Sequence, residues 1–346
     1  MKRKYFLLLT LLLLFACNRP PVDYRQQLYV FGTLMDLHLI GKHPAVIQQA
    51  ITSIDHDFQR MHREWHGWKP GGELYAINQA IGEGRKEIPI SEKIRPLLIS
   101  ARQLSIISGG LFEPGMGRLI NLWGFQQDER PSGEPPTEAE INSLLERKAS
   151  ISEIKIERDR LISSNKTVNL DLGAFAKGYA LDQARQSLKQ AGIKQAMLNA
   201  GGDLCVLGEN HNRPWHVGLR HPQGKGVLAS IRVKDGECVM TSGNYERYRE
   251  HKGVHYAHIL DPRTGKPVQG IVSVTVIDAD GGLADAAATA LTVAGSEGWY
   301  ALAKGMGLKY VMLVGDDGVV YMNPGMGGRI EFEGVGPDRV VVSGGL

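Results

Sequence analysis

Three stretches of the chain hold residue types that can do chemistry. In "HYAHILDPRTGKPVQG", running from His255 to Gly270, His258 stands three residues ahead of an Asp-Pro step. Pro262 fixes its own φ and Gly265 can adopt φ > 0, so "DPRTG" is expected to form a tight turn that holds the imidazole still. Such a ring suits general-base work, and equally suits a buried histidine satisfied by a backbone carbonyl. In "GGLADAAATALTVAG", Asp285 and Thr289 lie at i and i+4 of a small-residue helix, on a different stripe from Leu283, Ala287, Leu291 and Ala294. A carboxylate and a hydroxyl one turn apart make a hard-oxygen pair suited to Mg2+ or Ca2+ rather than zinc. An aspartate favoured by the helix dipole beside an incidental threonine is the plainer alternative. In "NLDLGAFAKGY", a strand, a glycine turn and a helix start bring free backbone N–H groups and Lys177 to one helical turn, which favours an anion. No G-K-S/T spacing follows, so the turn is not a Walker loop.

Two weaker signals accompany these. "LNAGGDL", Leu198 to Leu204, places a glycine turn after a strand, where backbone can approach a ligand closely. His62 and His66 in "HREWHGW" share a helix face, but Glu64 sits between them rather than beside the first histidine as H-E-x-x-H requires. They read as surface histidines.

The elements that must carry these groups follow from periodicity. Residues 28 to 40 read as a strand and 44 to 65 as a long helix. A second amphipathic helix buries Ile94, Leu97, Leu98, Ala101, Leu104 and Ile107 and stops at Gly109. The polar, Pro-rich stretch between Gln126 and Glu140 is the best internal boundary. Beyond it, "KTVNLDLG" alternates at Val168, Leu170 and Leu172, and a helix runs from about Ala174 to a Gly192 stop. "VLASIRVKDGECVM" reads as a strand pair around an Asp235-Gly236 turn, and "VSVTVIDA" and "KYVMLVGDDGVVYM" supply further strands. The tail "NPGMGGRIEFEG" reads as loop, and there is no internal repeat. The fold class expected is α+β, with mixed sheets, packed helices and two subdomains.

Composition narrows the partners. With 346 residues, 42% of them hydrophobic, the chain can bury a large core, and a net charge of +3 is too mild to argue for a nucleic-acid groove. The start is more telling: "MKRKY" is a basic region, "FLLLTLLLLF" is too short to span a bilayer, and "LFAC" resembles a bacterial lipobox ending at Cys17. Residues 1–16 are therefore expected to be a lipoprotein signal, Cys17 the lipidated first residue, 17–27 a tether and 28–346 the folded domain. Cys205 and Cys238 can pair in an oxidising envelope or stand as two buried thiols.

No one of these motifs decides the function, but their order does. "FGT", "GELYAIN", "GLFEPGMGRLINLWGF", "LDLGAFAKGYALD", "NAGGDL", "TSGNYERY", "HILDPRTGKP" and "ADAAATAL" follow one another from about Tyr29 to Gly295. This series resembles the ApbE family, the FAD:protein FMN transferases. The resemblance implies an ApbE-like, T-fold-like architecture and an envelope lipoprotein facing the periplasm. Such a protein would use Mg2+ to transfer FMN from FAD to a Ser or Thr of a target protein, a membrane redox-complex subunit. Matched by position, the metal would fall to the Ala174 carbonyl, Asp285 and Thr289. FAD would fall to Phe31, to Glu73, Leu74 and Tyr75, to Glu113, to Lys177 and to His258, Ile259 and Leu260, with His258 as the base. Two positions depart from the family pattern, Phe31 standing for its usual Met and Glu113 for its usual Asp. An FAD pyrophosphatase giving FMN and AMP, and a flavin-storing lipoprotein, are the alternatives.

Overall fold

A hairpin opens the chain, which the computed structural model describes for residues 20–346 apart from 128, 223, 225, 246 and 335. Cys17 and the apolar leader lie outside the described residues. β1 (Val22–Val30) and β2 (Thr33–Gly41) are joined by Phe31 and Gly32, both at positive φ (54° and 72°). Two such residues form the turn whose twist matches the flanking strands. The single strand expected over 28–40 is thus two strands, because nothing in an apolar run announces a turn that begins at phenylalanine. Residues 22–27, expected in the tether, are part of β1, where Tyr24 and Leu28 pack against the core.

α1 (Pro44–Glu64) presses Ile47, Ile51, Ile54, Phe58 and Met61 inward at helical spacing. α2 (Glu73–Gly82), β3 (Glu87–Pro89) and α3 (Arg95–Ile107) follow. Gly109 at φ 63° ends the α3 turn as expected, but Ile107 is 46% exposed, because the buried stripe continues through Ser105 and Ser108 instead. α4 (Gly117–Leu122) and α5 (Glu138–Leu145) flank the Pro-rich connection, and Thr137 with Glu140 forms a capping box at the start of α5. Leu119, Trp123 and Phe125 before the connection share one small core with Ile141 and Leu260 after it. The expected subdomain boundary is therefore bridged by packing.

β4 (Lys155–Ile156) and β5 (Arg160–Ile162) complete a small sheet with β3, and α6 (Ala176–Gln190) leads to β6 (Gln195–Ala200) and β7 (Asp203–Leu207). Then come β8 (Trp215–Arg220), β9 (Val227–Val233), β10 (Cys238–Gly243), the hairpin of β11 (Tyr248–His251) and β12 (Val254–Ala257), and β13 (Ile271–Asp278). α7 (Gly281–Gly305) bends at Gly295, and β14 (Tyr310–Gly315), β15 (Val320–Met322), α8 (Pro324–Gly327), β16 (Ile330–Phe332) and β17 (Val340–Val342) close the chain.

Nine strands form the main sheet in the order β1-β2-β6-β7-β10-β13-β14-β15-β17, antiparallel except for the last pair. One face carries the large core shared with α1, α3, α6 and α7. The other carries a second core, closed over by the sheet β16-β9-β8. Two expectations are corrected here. β9 and β10 do not pair: the Asp235-Gly236 turn hands the chain from the small sheet to the main one. The glycine-rich tail is not only loop, since it holds α8 and also β16, whose Ile330 and Phe332 pack on the second core. Cys205 and Cys238 face each other across β7 and β10 and form a disulfide. The α+β class, with mixed sheets and packed helices, is as the sequence implies.

Candidate active site

The Asp285 stripe gains its neighbours where α6 crosses α7. A Cβ on Gly178 would collide with the carbonyl of Gly281 and lie 2.8 Å from Asp285 Cβ, so glycine is what lets the helices approach. The Gly178 N–H then donates to Asp285 Oδ2 at 2.9 Å. Among the described residues no backbone N–H donates to the Ala174 carbonyl, four residues earlier. Asp182, one turn along α6, secures the start of α7 by accepting the Gly281 N–H at 2.5 Å, and Arg185 pairs with it at 2.6 Å. Burial raises the Asp182 pKa to about 6, against the lowering pull of Arg185 and the Gly281 N–H. Thr289, one turn beyond Asp285, meets Ser242 of β10, Oγ to Oγ, at 3.2 Å.

The trio expected to hold a metal is thus a main-chain carbonyl, a carboxylate buried to 5% exposure and a half-buried hydroxyl on adjoining turns. All three are hard oxygens, and a carbonyl without a backbone donor is the kind of atom a cation satisfies, so the set fits Mg2+. One other cluster of metal-binding type occurs among the described residues, Asp182 with Cys205 and Cys238. Its sulfurs are already bonded to each other.

Lys177 leaves the first turn of α6 toward β7, where it pairs with the buried Asp203. The other oxygen of Asp203 accepts the Thr241 N–H at 2.8 Å, so one carboxylate ties the lysine to the end of β10. Asp171, two residues before the glycine of this loop, is buried against Gln126 at 2.8 Å and the Gly173 N–H at 2.9 Å. Burial holds its pKa above the usual carboxylate range.

His258 sits just past β12, at the mouth of the expected turn. Gly265 has φ 67°, Asp261 accepts the N–H groups of Thr264 and Gly265, and Trp123 Nε1 donates to the Gly265 carbonyl at 2.8 Å. The half-buried His258 ring lies edge-on to Phe125, and its Nδ1 is 3.0 Å from the carbonyl of Arg247. A carbonyl only accepts, so Nδ1 carries the proton and Nε2 keeps its lone pair. Burial pulls the ring's pKa down to about 4, and the charges of Arg247 and Lys177 pull the same way against the carbonyl bond. The Lys177 ammonium is therefore close enough to be felt by the histidine.

The other expected contacts divide. Phe31, at its strained turn position, stacks near Trp65 at 6.5 Å and meets Phe58 and His62 edge-on, and Trp65 in turn meets Tyr179 of α6. An aromatic chain thus links the hairpin tip to the helix carrying Lys177. His62 is half-buried in this cluster rather than a free surface group. The Glu73 carboxylate takes the N–H and hydroxyl of Ser91, both at 2.6 Å, Leu74 is core, and Tyr75 is half-buried. Both oxygens of Glu113 are engaged within the chain, by Gly115 and Ile151 N–H groups and by Ser105 and Ser150 hydroxyls. Burial raises the Glu113 pKa despite those four donors. Ile259 and Leu260 are buried, the first giving its carbonyl to Val268 and the second bridging to Pro267. Asp203, Ser242 and Arg247 were not singled out by sequence, although each falls inside "NAGGDL" or "TSGNYERY". An acid directly after a glycine pair was the one available signal.

Comparison with known proteins gives a consistent result. The model of the ApbE family matches residues 31–312. A FAD:protein FMN transferase of Rhodobacter capsulatus is 41% identical over 324 residues, covering 93% of this chain and 61% of that protein, so the chain spans about three fifths of its length. One of Vibrio cholerae is 30% identical over 90% of this chain and 93% of its own. Among solved structures, the ApbE protein of Thermotoga maritima superposes with a TM-score of 0.78 at 30% identity, over 86% of this chain and 96% of that one. The flavinyl transferase ApbE of Pseudomonas stutzeri gives 0.79 at 25% identity, over 90% and 98%.

Proposed function

The chain belongs to the ApbE family, and from that premise we infer that it transfers FMN from FAD to a Ser or Thr hydroxyl of another protein, releasing AMP. The observation that carries this reading is the meeting of α6 with α7, where the Gly178 N–H reaches Asp285 one residue after Lys177, while His258 stands close enough to feel the charge of that lysine.

In this reading the acceptor oxygen forms a bond to the FMN phosphorus as the bond to the AMP oxygen breaks. His258 Nε2 takes the hydroxyl proton, while Nδ1, held by the Arg247 carbonyl, keeps the ring oriented. Lys177 offsets charge on the pyrophosphate, and Asp203 fixes where its ammonium stands. Ala174, Asp285 and Thr289 would hold Mg2+, which would supply the further charge neutralisation that phosphoryl transfer needs. Phe31 and the rings behind it offer a face on which a planar flavin or adenine packs. Glu113 serves by shaping its loop, since its oxygens are already engaged.

Lipidation of Cys17 and residence in the cell envelope, facing the periplasm, belong to the same proposal. The basic and apolar leader with its lipobox-like end supports them, and the Cys205–Cys238 disulfide accords with an oxidising compartment. No helix among the described residues is long and apolar enough to cross a membrane. The target is proposed to be a subunit of a membrane redox complex. Mass spectrometry of a co-expressed acceptor domain tests the reaction: covalent FMN on one Ser or Thr is expected. AMP formed from FAD without any modified acceptor would mean a pyrophosphatase, and bound FAD with no AMP would mean storage.

A further inference from the structure

We propose that Ser242 is a positioning residue of the cation site, its oxygen accepting a hydrogen bond from the Thr289 hydroxyl so that a Thr289 lone pair is turned toward the ion. The inference rests on the cation reading above and extends it to a residue that the motif does not name.

Two threonines of α7 show why a partner is needed. Thr292 does what a buried helical threonine usually does, donating to the carbonyl four residues back, Ala288, at 2.8 Å. Thr289 instead points its hydroxyl off the helix at Ser242, 3.2 Å away. A hydroxyl has one proton and two lone pairs, and only one proton can lie between two hydroxyl oxygens. If Thr289 donates, both its lone pairs remain for a ligand. If Ser242 donates, one lone pair is consumed and the Thr289 proton turns into the space a cation would use. A bound cation also polarises the hydroxyl it touches and strengthens it as a donor, so ligation and donation to Ser242 reinforce each other.

Ser242 is held where it can do this. Its neighbour Thr241 gives its N–H to Asp203 at 2.8 Å and shares a hydroxyl contact of 3.1 Å with Thr275. Ser242 itself stands in register with Val274 across β10 and β13. Asp203, which fixes Thr241, also binds Lys177, so the lysine and the Thr289 hydroxyl are both referred to the end of β10.

The test is calorimetric titration of Mg2+ into the full chain saturated with FAD, paired with thermal melts in Mg2+-free buffer. Ser242→Ala is expected to weaken Mg2+ binding by roughly 10-fold, within the range for removing an outer-sphere partner. Its Mg2+-free melting temperature should stay near that of the unsubstituted chain, and Ser242→Thr, which keeps a hydroxyl, should restore the affinity. Unchanged Mg2+ affinity in Ser242→Ala would overturn the proposal. So would a melting temperature that falls in step with affinity while Ser242→Thr fails to rescue, because that pattern marks a packing role. The parent reading fails separately, and this one with it, if Asp285→Ala binds Mg2+ as tightly as the unsubstituted chain.

Discussion

The corner formed by α6 and α7, which carries Lys177, and the turn carrying His258 are built in opposite ways. The corner is part of the largest core: Ala284, Ala286, Ala287 and Ala288 around Asp285 are fully buried, and Gly178 lets two helix backbones meet. The turn rests on a satellite core of five buried residues and is tied to its surroundings by hydrogen bonds, from Trp123 Nε1 to the Gly265 carbonyl and from both the backbone N–H and Nδ1 of His258 to the Arg247 carbonyl. A group that must confront concentrated charge gains from a support that cannot relax. A group that must meet a hydroxyl arriving on another protein is better carried by a stiff loop that positions it, here half-buried against Phe125.

That contrast can be broken at either region. The largest effect is expected at the corner: Asp285→Ala should lower Mg2+-dependent transfer by about 10³-fold or more, since metal stabilisation of phosphoryl charge is worth several kcal/mol. Transfer assays across a Mg2+ titration check this. Unaltered Mg2+ dependence in a folded variant would remove Asp285 from the site. At the turn, His258→Ala should lose transfer by roughly 10²–10⁴-fold while FAD affinity stays within a few-fold. Parallel loss of affinity, activity and melting temperature would make the ring structural.

The pH profile sharpens the contrast. A solvated imidazole loses its accepting form as pH falls through about 6.5. His258, with its pKa pulled to about 4, stays neutral well below that, so the acid limb of transfer attributable to it should lie near pH 4. The linkage has a matching sign. The unfolded chain takes up this proton at the higher pKa, so the ring's contribution to stability is complete above about pH 6.5 and declines as pH falls toward 4. An acid limb near 6.5 in a single-turnover profile would mean that the ring is solvated. The smallest effect is expected from Trp123→Phe, which leaves the Gly265 carbonyl without its donor. Stability should drop by about 1–3 kcal/mol and transfer by a few-fold, with Mg2+ affinity unmoved. An equal loss of Mg2+ affinity would show the two regions to be one mechanical unit.

How legible these regions were differs with how locally they are encoded. The stiffness of the Asp261 to Gly265 turn and the shared stripe of Asp285 and Thr289 were readable because Pro, Gly and helical period act within a few residues. The hairpin at Phe31 and Gly32 was not, since only pairing with β2 forces a phenylalanine to positive φ. The Asp235-Gly236 turn was seen, but not that it joins different sheets, because a turn signal carries no information about partners across a sheet.

By itself, then, the sequence determined the four longest helices, α1, α3, α6 and α7, most of the glycine and proline turns, and an ordered series of blocks whose resemblance pointed to the family. Tertiary structure alone decided that Asp203 reaches Lys177, that Ser242 faces Thr289, that Cys205 bonds to Cys238 and that the Arg247 carbonyl fixes the tautomer of His258. The physical reason is common to all four: each depends on which distant strands and loops lie side by side. That order is set by the burial of whole sheet faces, and no local rule of spacing contains it.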